Sequence, residues 1–335
     1  MDGRMDAEYV LPIRRAQSAV DPDLRAYLHR LSDWIDVTVV DGSAAGPYAA
    51  LDTALSDTGV RHLTPTVPGR NGKARGAMTG ILTARHTRVV IADDDIRYTR
   101  TTLERVCGEL RTATFVRVQN HYAPLTWWAR WDTGRILLNR AFGGDYGGTV
   151  GLRRSVALRT GGYRTDVLFE NLELERTVAA AGGSVRVPRD LLVTRRPPTL
   201  RHFLGQRVRQ AYDDLAQPVR LVTEAAILPL VLALALARRR RPLLGAVIAV
   251  ILAIASHGRR VDAGAAHFPV DGPLWALGWV GERMITVWLA LFVRLRGGVR
   301  YGDTRLRDAA SSPAALRAGL HRIPPPEPQA PRSER

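Results

Sequence analysis

Three consecutive carboxylates, the aspartate cluster Asp93–Asp95, directly follow the short apolar run Val89–Ala92. Because side chains alternate along an extended chain, Asp93 and Asp95 are predicted to face the same way, with Asp94 opposite. Two carboxylates in a dry site repel each other unless a cation lies between them. Such hard oxygen ligands suit Mg²⁺ or Mn²⁺, which usually also bind substrate phosphates. The pattern predicts a metal site at Asp93 and Asp95; an acidic turn capping the next helix is the alternative.

Strands and helices are predicted to alternate around this cluster. Patterns of apolar residues indicate strands at Glu8–Ile13, Trp34–Val40 and Arg61–Val67, and helices at Asp21–Leu31, Pro47–Leu55 and Ala74–His86. This alternation predicts an α/β domain with a mostly parallel sheet and flanking helices. In such sheets ligands bind beyond the carboxyl ends of the strands, where Asp41, Lys73 and the aspartate cluster all fall. We therefore expect one shared ligand site.

The loop before the third helix contains Asn71, Gly72 and Lys73. Glycine lets the backbone approach a ligand closely and lysine supplies a point charge, so the loop suits a diphosphate. Its spacing and its lack of Ser or Thr exclude a Walker loop. Lys73 is therefore a candidate diphosphate ligand, with an ordinary surface turn as the alternative.

The composition restricts the partners. The 335 residues carry a net charge of +16, which implies an anionic partner such as a phosphorylated small molecule, a nucleic acid or an acidic lipid. Lys73 is the only lysine, so the arginine excess indicates a coding bias, and no nucleic-acid-binding motif is present. The single cysteine, Cys107, excludes an intrachain disulfide and a cysteine-based metal site. We expect no nucleic-acid partner.

The last third of the sequence is markedly apolar. Thr199–Leu215 is predicted to form a basic amphipathic helix of the kind that lies in a membrane interface. The apolar segments Val219–Ala237, Leu243–Ser256 and Pro273–Leu295 follow, separated by arginine clusters, and three in succession predict membrane association. Met1–Ile13 lacks the apolar stretch of a signal peptide, so the first domain is expected to stay in the cytosol.

These features divide the chain into four predicted parts. Residues 1–198 form the α/β domain, 199–218 the amphipathic helix and 219–300 the membrane-associated helices. Residues 301–335 form a C-terminal tail, which is proline-rich and expected to be disordered from about residue 324.

Taken in order, these motifs resemble the membrane-associated family 2 glycosyltransferases of the GT-A fold, from about Val10 to about Arg307. The resemblance implies that residues 1–198 are the catalytic domain. It also implies that Asp41, at the end of the second strand, contacts the nucleobase and that Lys73 lies near the diphosphate.

The aspartate cluster matches the family's Asp-x-Asp motif. By this resemblance Asp93 reaches the ribose or the metal, Asp94 lies beside the donor substrate, and Asp95 ligates the metal.

Two positions depart from the family pattern. The acceptor-side Glu-Asp pair is Glu170-Asn171 here, and an amide cannot accept a proton at neutral pH. Glu170 is then the candidate base, with Glu173 as a substitute. The Gln-x-x-Arg-Trp motif keeps Gln206 and Arg209 as substrate-binding residues but loses the Trp, which weakens the case for processive polymer synthesis.

The resemblance implies an inverting glycosyltransferase that uses Mg²⁺ or Mn²⁺. Its catalytic residues would be Glu170 and Asp95, its donor a UDP- or GDP-sugar, and its acceptor a lipid or lipid-linked molecule. It would lie at the cell membrane with the catalytic domain facing the cytoplasm. Two alternatives stay open: a nucleotidyltransferase on a similar sheet, and a non-catalytic membrane protein that binds acidic lipid.

Overall fold

A computed structural model describes residues 3–237, 240 and 242–320 of the protein. Its strands, in chain order, are β1 (Met5–Ile13), β2 (Ile35–Asp41), β3 (Arg61–Leu63), β4 (Arg88–Ala92), β5 (Ile96–Arg97), β6 (Phe115–Arg117), β7 (Gln119–Tyr122), β8 (Thr149–Arg153), β9 (Val185–Arg186), β10 (Leu192–Arg195), β11 (Val299–Tyr301) and β12 (Thr304–Leu306). One sheet has the order β3-β2-β1-β4-β8-β6-β9; β8 is antiparallel to its neighbours and the other pairs are parallel. The predicted α/β class with a mostly parallel sheet is confirmed.

Helices cover both faces of this sheet. In chain order they are α1 (Pro22–Ser32), α2 (Ala45–Leu55), α3 (Gly72–Thr83), α4 (Arg100–Glu109), α5 (Trp127–Ala141), α6 (Arg154–Arg159), α7 (Glu170–Ala180), α8 (Leu200–Gly205), α9 (Arg207–Asp213), α10 (Pro218–Leu236), α11 (Pro242–Arg260), α12 (Gly272–Leu295) and α13 (Pro313–Leu320). Apolar side chains of α1 and α4 join one core layer, and those of α3, α6 and α7 join the other. The central strands β1 and β4 are buried on both faces, as strands of parallel sheets usually are.

Helix α3 lies close to β1 because two glycines face that strand. A Cβ at Gly80 would lie 2.2 Å from Val10 Cγ1, and one at Gly76 would lie 2.9 Å from Pro12 Cβ. The side chain of Asn71 caps the helix by accepting a hydrogen bond from its first turn. This packing fixes the first turn of α3, which contains Lys73, next to the carboxyl ends of the strands.

The amphipathic segment differs from the single helix predicted over Thr199–Leu215. Helix α8 ends and α9 begins on either side of Gln206 (φ −92°, ψ −10°). Arg207 and Tyr212 on α9 are buried in the domain, whereas Leu204 on α8 stays 58% exposed. The break turns α9 into the domain, so the segment does not form one continuous interfacial face.

Three helices of the described chain, α10, α11 and α12, are long and apolar enough to cross a membrane, judged by length and composition. They coincide with the three predicted apolar segments. Helices α11 and α12 pack on α5, and α12 also contacts α9. Few residues of α10 and α11 are buried. Their surfaces are compatible with membrane association.

The chain after α12 returns to the α/β domain, where the sequence predicts a tail from residue 301. Strands β11 and β12 form a hairpin, and Leu306 within it is fully buried. A Cβ at Gly298 (φ +113°) would lie 2.3 Å from the Leu306 carbonyl oxygen, so glycine is required where the chain turns into the hairpin. The backbone N–H of Phe169 donates to the Ala309 carbonyl at 2.8 Å. The predicted disorder from about residue 324 lies outside the described residues.

Candidate active site

A cavity of about 760 Å³ lies beyond the carboxyl ends of β1 and β4. Lys73, the three residues of the aspartate cluster, Gln206 and Arg209 all line it. Residues of α5, α9 and the β11–β12 hairpin, including Tyr301, form the facing wall. The structure therefore brings most of the predicted substrate-binding residues together. We call this space the donor cavity.

The aspartate cluster is a tight turn between β4 and β5 rather than an extension of β4. The backbone N–H of Ile96 donates to the Asp93 carbonyl at 3.1 Å, so the strand alternation ends at Ala92. Asp94 therefore lines the cavity instead of pointing away, and the prediction from alternation is wrong for this residue. Asp94 is exposed to the cavity, and partial desolvation by the surrounding walls raises its pKa, with the negative charge of Asp93 adding to the increase.

Lys73 joins two carboxylates that are far apart in the sequence. Its Nζ lies 2.5 Å from Asp93 Oδ1 and 2.7 Å from Glu170 Oε1. Burial alone would lower the pKa of Lys73, but the charges of Asp93 and Glu170 outweigh it and hold the pKa well above its ordinary value. An ammonium group has three N–H donors, so one is left for a ligand oxygen.

Arg195, the last residue of β10, connects the two outer aspartates. Its Nε donates to Asp95 Oδ2 at 2.9 Å, and its Nη2 lies 3.4 Å from Asp93 Oδ2. Burial raises the pKa of Asp95, although the charge of Arg195 opposes the increase. The other carboxylate oxygen, Asp95 Oδ1, is buried and has no hydrogen-bond partner among the described residues.

These two aspartates fit a hard divalent cation. A buried carboxylate oxygen without a partner, such as Asp95 Oδ1, is a ready ligand for Mg²⁺ or Mn²⁺. Asp93 Oδ2 lies against Gly148, where an added Cβ would come within 2.5 Å of it. In the described part of the chain no three His, Cys, Asp or Glu side chains gather as metal ligands. Phosphate oxygens and water would therefore supply the remaining ligands.

Asp41 ends β2 but does not line the donor cavity, unlike its neighbour Gly42. It is 1% exposed; Oδ1 accepts a hydrogen bond from the Ser43 N–H at 2.8 Å, and Oδ2 lies 3.3 Å from His62 Nε2. Burial alone would raise the pKa of Asp41, but the bonds from His62 and Ser43 outweigh it and lower the pKa. The carboxylate is engaged by its own turn, so the structure separates Asp41 from the other predicted ligands. Its neighbour His62 stacks on Tyr48, with the ring centroids 4.2 Å apart.

The two candidate bases on α7 have different surroundings. Glu170, the first residue of the helix, is 6% exposed and contacts Lys73. Glu173 is fully buried, and its Oε2 accepts a hydrogen bond from the Ser311 backbone at 2.5 Å. Glu173 therefore anchors the segment before α13, and its proposed part as a substitute base loses its support.

Asp213, the last residue of α9, is an acidic group that the sequence did not indicate. Its Oδ1 is buried without a hydrogen-bond partner among the described residues. Burial raises its pKa to about 7; Arg209 opposes the increase, whereas Asp214 and Glu170 add to it. A carboxyl group with this pKa can exchange a proton near neutral pH.

No protein-family model matches the sequence, and no curated protein matches it. Among solved structures, the chain is similar to a mannosyltransferase from Pyrobaculum calidifontis in complex with GDP-Man and Mn²⁺, with a TM-score of 0.54 and 20% identity. That match covers 87% of this chain and 88% of the other. The chain has the GT-A fold. Glucosyl-3-phosphoglycerate synthase from Mycobacterium tuberculosis, in complex with Mn²⁺ and UDP-Glc, has a TM-score of 0.42 and 19% identity, over 64% of this chain and 79% of that one.

Three residues that line the donor cavity were not predicted from the sequence: Arg195, Tyr301 and Asp303. Arg195 ends a strand, so the rule that led to Asp41 could have identified it as well. Tyr301 and Asp303 also line the cavity, but they follow the last apolar segment, where no local pattern indicates a return to the site.

Proposed function

We propose that this protein is an inverting, metal-dependent glycosyltransferase. It moves a sugar from a nucleoside-diphosphate sugar to a membrane-associated acceptor, which is a lipid or lipid-linked molecule. The observation that supports this most strongly is the donor cavity, in which one lysine and three aspartates from separate segments meet at the ends of parallel strands. The similar mannosyltransferase in complex with GDP-Man and Mn²⁺ supports the same donor class, a UDP- or GDP-sugar.

The charges of the donor cavity suit a diphosphate. Lys73 keeps one N–H donor for a phosphate oxygen, and Arg14 and Arg209 also line the cavity. Charge-assisted hydrogen bonds of this kind stabilise the negative charge that develops as the bond to the sugar breaks. Asp93 and Asp95 would hold the Mg²⁺ or Mn²⁺, which when bound neutralises part of the diphosphate charge. Asp94 lies beside the donor.

Glu170 is the proposed base when the acceptor is a hydroxyl group. It would remove the acceptor proton during attack on the anomeric carbon, an effect typically of about 10²–10⁴-fold. Because Lys73 Nζ lies 2.7 Å from Oε1, the other oxygen, Oε2, is the proposed proton acceptor. Gln206 and Arg209 lie on the side of the cavity that α8 and α9 form, where the acceptor would enter. Asp41, which the resemblance assigns to the nucleobase, holds His62 at 3.3 Å just outside the cavity lining.

The three apolar helices support a location at the cell membrane. Helices α10 to α12 would hold the catalytic domain against the bilayer, where a lipid acceptor is concentrated. The catalytic domain is proposed to face the cytoplasm, where nucleotide sugars are made.

Asp95→Asn tests the proposal in purified, detergent-solubilised protein with a panel of nucleotide sugars and Mn²⁺. We expect release of nucleoside diphosphate from the wild type and a loss of at least about 10²-fold in kcat for the variant. Asp57→Asn is the control, because Asp57 forms an exposed ion pair with Arg25. Undiminished turnover by Asp95→Asn would remove the metal role. Release of pyrophosphate would indicate a nucleotidyltransferase, and liposome binding without nucleotide-sugar affinity would indicate a non-catalytic acidic-lipid-binding protein.

A further inference from the structure

A second cavity, of about 480 Å³, lies beside the donor cavity. We call it the basic cavity, because Arg14, Arg209 and Arg300 line it and no Asp or Glu does so in the described part of the chain. Its walls are the break between α8 and α9 on one side and the β11–β12 hairpin on the other. Gly205 adds open space there, since a Cβ at this position would meet no atom within 4 Å.

The positive charge of the basic cavity is only partly compensated. Arg14 pairs with Asp303 at 2.8 Å. Arg209 and Arg300 form no ion pair with a carboxylate among the described residues. The Arg209 guanidinium lies 4.7 Å from the centroid of the Tyr301 ring, which orients it without neutralising it. Asp213 and Asp303 lie close enough to act on Arg209 and Arg300 electrostatically, but without direct ion pairs in the described structure both guanidinium groups are suited to bind a phosphate group.

The basic cavity and the donor cavity are adjacent. Arg14, Gln206, Arg209 and Tyr301 line both. A group bound by Arg209 and Arg300 would therefore lie next to the space in which the donor sugar is expected. This position suits the reacting end of an acceptor.

Apolar surface adjoins the basic cavity. Helix α12 presents the exposed side chains Ile285, Trp288 and Phe292, and it ends at Leu295, which is 86% exposed. The cavity wall begins four residues later, at Val299. Leu204 on α8, next to Gly205, is also exposed. A molecule with a phosphate head and a hydrocarbon chain would meet both surfaces together.

We propose that the basic cavity binds the phosphate group of a lipid-borne acceptor, through Arg209 and Arg300. The proposal rests on the proposed function and narrows its acceptor to a phosphate. A phosphate oxygen would attack the anomeric carbon, forming a new C–O bond, while the bond to the donor diphosphate breaks and the nucleoside diphosphate leaves. A phosphate monoester is largely ionised at neutral pH, so no proton has to be removed. This chemistry agrees with Asn171 at the usual base position and with Glu170 held by Lys73.

Arg300→Gln tests this site, because Arg300 is exposed and lines the basic cavity but not the donor cavity. Arg296→Gln is the matched control: it removes the same charge near the end of α12, where Arg296 stacks on Phe292 instead of lining either cavity. Binding of a long-chain alkyl monophosphate, the corresponding alcohol, inorganic phosphate and phosphatidylglycerol vesicles is measured on the purified full chain. Nucleoside diphosphate with Mn²⁺ is titrated separately.

We expect Arg300→Gln to weaken binding of the alkyl monophosphate roughly tenfold, and Arg296→Gln to leave it unchanged. Equal effects of the two variants, or equal binding of the alcohol and the monophosphate, would overturn the proposal. Tighter binding to phosphatidylglycerol than to the alkyl monophosphate would assign the cavity to membrane lipid and overturn its acceptor role. Inorganic phosphate binding as tightly as the alkyl monophosphate would refute a lipid-borne ligand. Failure of the wild type to bind any nucleoside diphosphate would refute the proposed function. The alkyl monophosphate titration would still show whether the basic cavity binds a lipid-borne phosphate.

Discussion

The two walls of the active-site region differ in how their charged side chains are paired. We call the wall with Lys73, Asp93 and Glu170 the sheet wall; α9 and the β11–β12 hairpin form the other. On the sheet wall, Lys73, Asp93 and Glu170 compensate one another at distances of 2.5 and 2.7 Å, largely shielded from solvent. On the wall formed by α9 and the hairpin, Arg209 and Arg300 have no carboxylate partner among the described residues. The charges of the sheet wall are thus balanced by direct ion pairs, whereas Arg209 and Arg300 on the other wall have none within the part of the chain that the structure describes. Removing one charge should therefore have very different costs on the two walls.

The largest effect is expected for Lys73→Met. Without the ammonium group, the buried Glu170 carboxylate loses its ion pair and Asp93 keeps only the Arg195 contact at 3.4 Å. Breaking a buried ion pair in this way typically costs about 3–5 kcal/mol of stability. The free energy of unfolding, measured by denaturant titration in detergent, checks this value. The double variant Lys73→Met/Glu170→Gln should recover part of the stability but none of the affinity for nucleoside diphosphate. A single variant as stable as the wild type would contradict the compensation described for this wall.

Asp213 should make the stability pH-dependent. Its folded-state pKa of about 7 lies above the ordinary value of 3.8, so between these values the folded protein binds more protons than the unfolded chain. Stability contributed by this group is present at low pH and is lost as the pH rises towards about 7, by an amount on the order of 4 kcal/mol. Asp213→Asn should therefore be more stable than the wild type at pH 8. Unfolding at pH 5 and pH 8 measures this, with the exposed Asp190→Asn as the control.

Glu170→Gln separates the two acceptor chemistries. If the acceptor is a hydroxyl, the variant should lose about 10²-fold or more in kcat, and the loss should follow the ionisation of a base in the pH profile. With a phosphate acceptor we expect a smaller loss, of about tenfold or less, and an unchanged pH profile. Steady-state kinetics with an alkyl phosphate and with the corresponding alcohol distinguish the two results. A large, pH-dependent loss with the phosphate would contradict the phosphate acceptor.

The smallest effect on stability is expected for Arg300→Gln. The side chain is exposed and has no carboxylate partner among the described residues, so the free energy of unfolding should change by less than about 0.5 kcal/mol. Thermal unfolding without ligand measures the change. A destabilisation above about 1 kcal/mol would mean that Arg300 makes a stabilising charge interaction within the protein. The contrast between the two walls would then disappear.

Much of the sheet wall could be predicted from local sequence. An apolar strand followed by carboxylates, and a glycine-lysine loop before a helix, place Lys73 and the aspartate cluster at the same edge of a parallel sheet. The alternation rule failed at Asp94, because hydrogen bonding turns the chain there and an extended conformation ends at Ala92. The strand-end rule failed at Asp41. This carboxylate is buried and hydrogen-bonded by His62 and Ser43, and no sequence pattern indicates those two partners.

The other wall was largely outside the reach of sequence reasoning. The apolar periodicity over Thr199–Leu215 is compatible with one helix, and the break at Gln206 arises from tertiary packing of α9. Tyr301 comes from a hairpin that follows an apolar helix of 24 residues, and its distance in sequence from Lys73 hides the fact that both line the donor cavity. Arg300 belongs to the same hairpin. Long-range contacts of this kind leave no local spacing to detect.

Two charged residues in the middle of α12 fix the orientation of this helix against the rest of the protein. Glu282 accepts a hydrogen bond from Trp131 Nε1 at 2.8 Å, and Arg283 pairs with Asp214 at 3.0 Å. Trp131 is on α5 and Asp214 follows α9, so rotation of α12 about its long axis would break the Glu282 hydrogen bond and the buried Arg283–Asp214 ion pair. The same side of α12 therefore always faces away from the rest of the protein. Under the proposed membrane association, the fold itself would set the orientation of the α/β domain relative to the bilayer, and both cavities would keep one orientation toward the lipid surface.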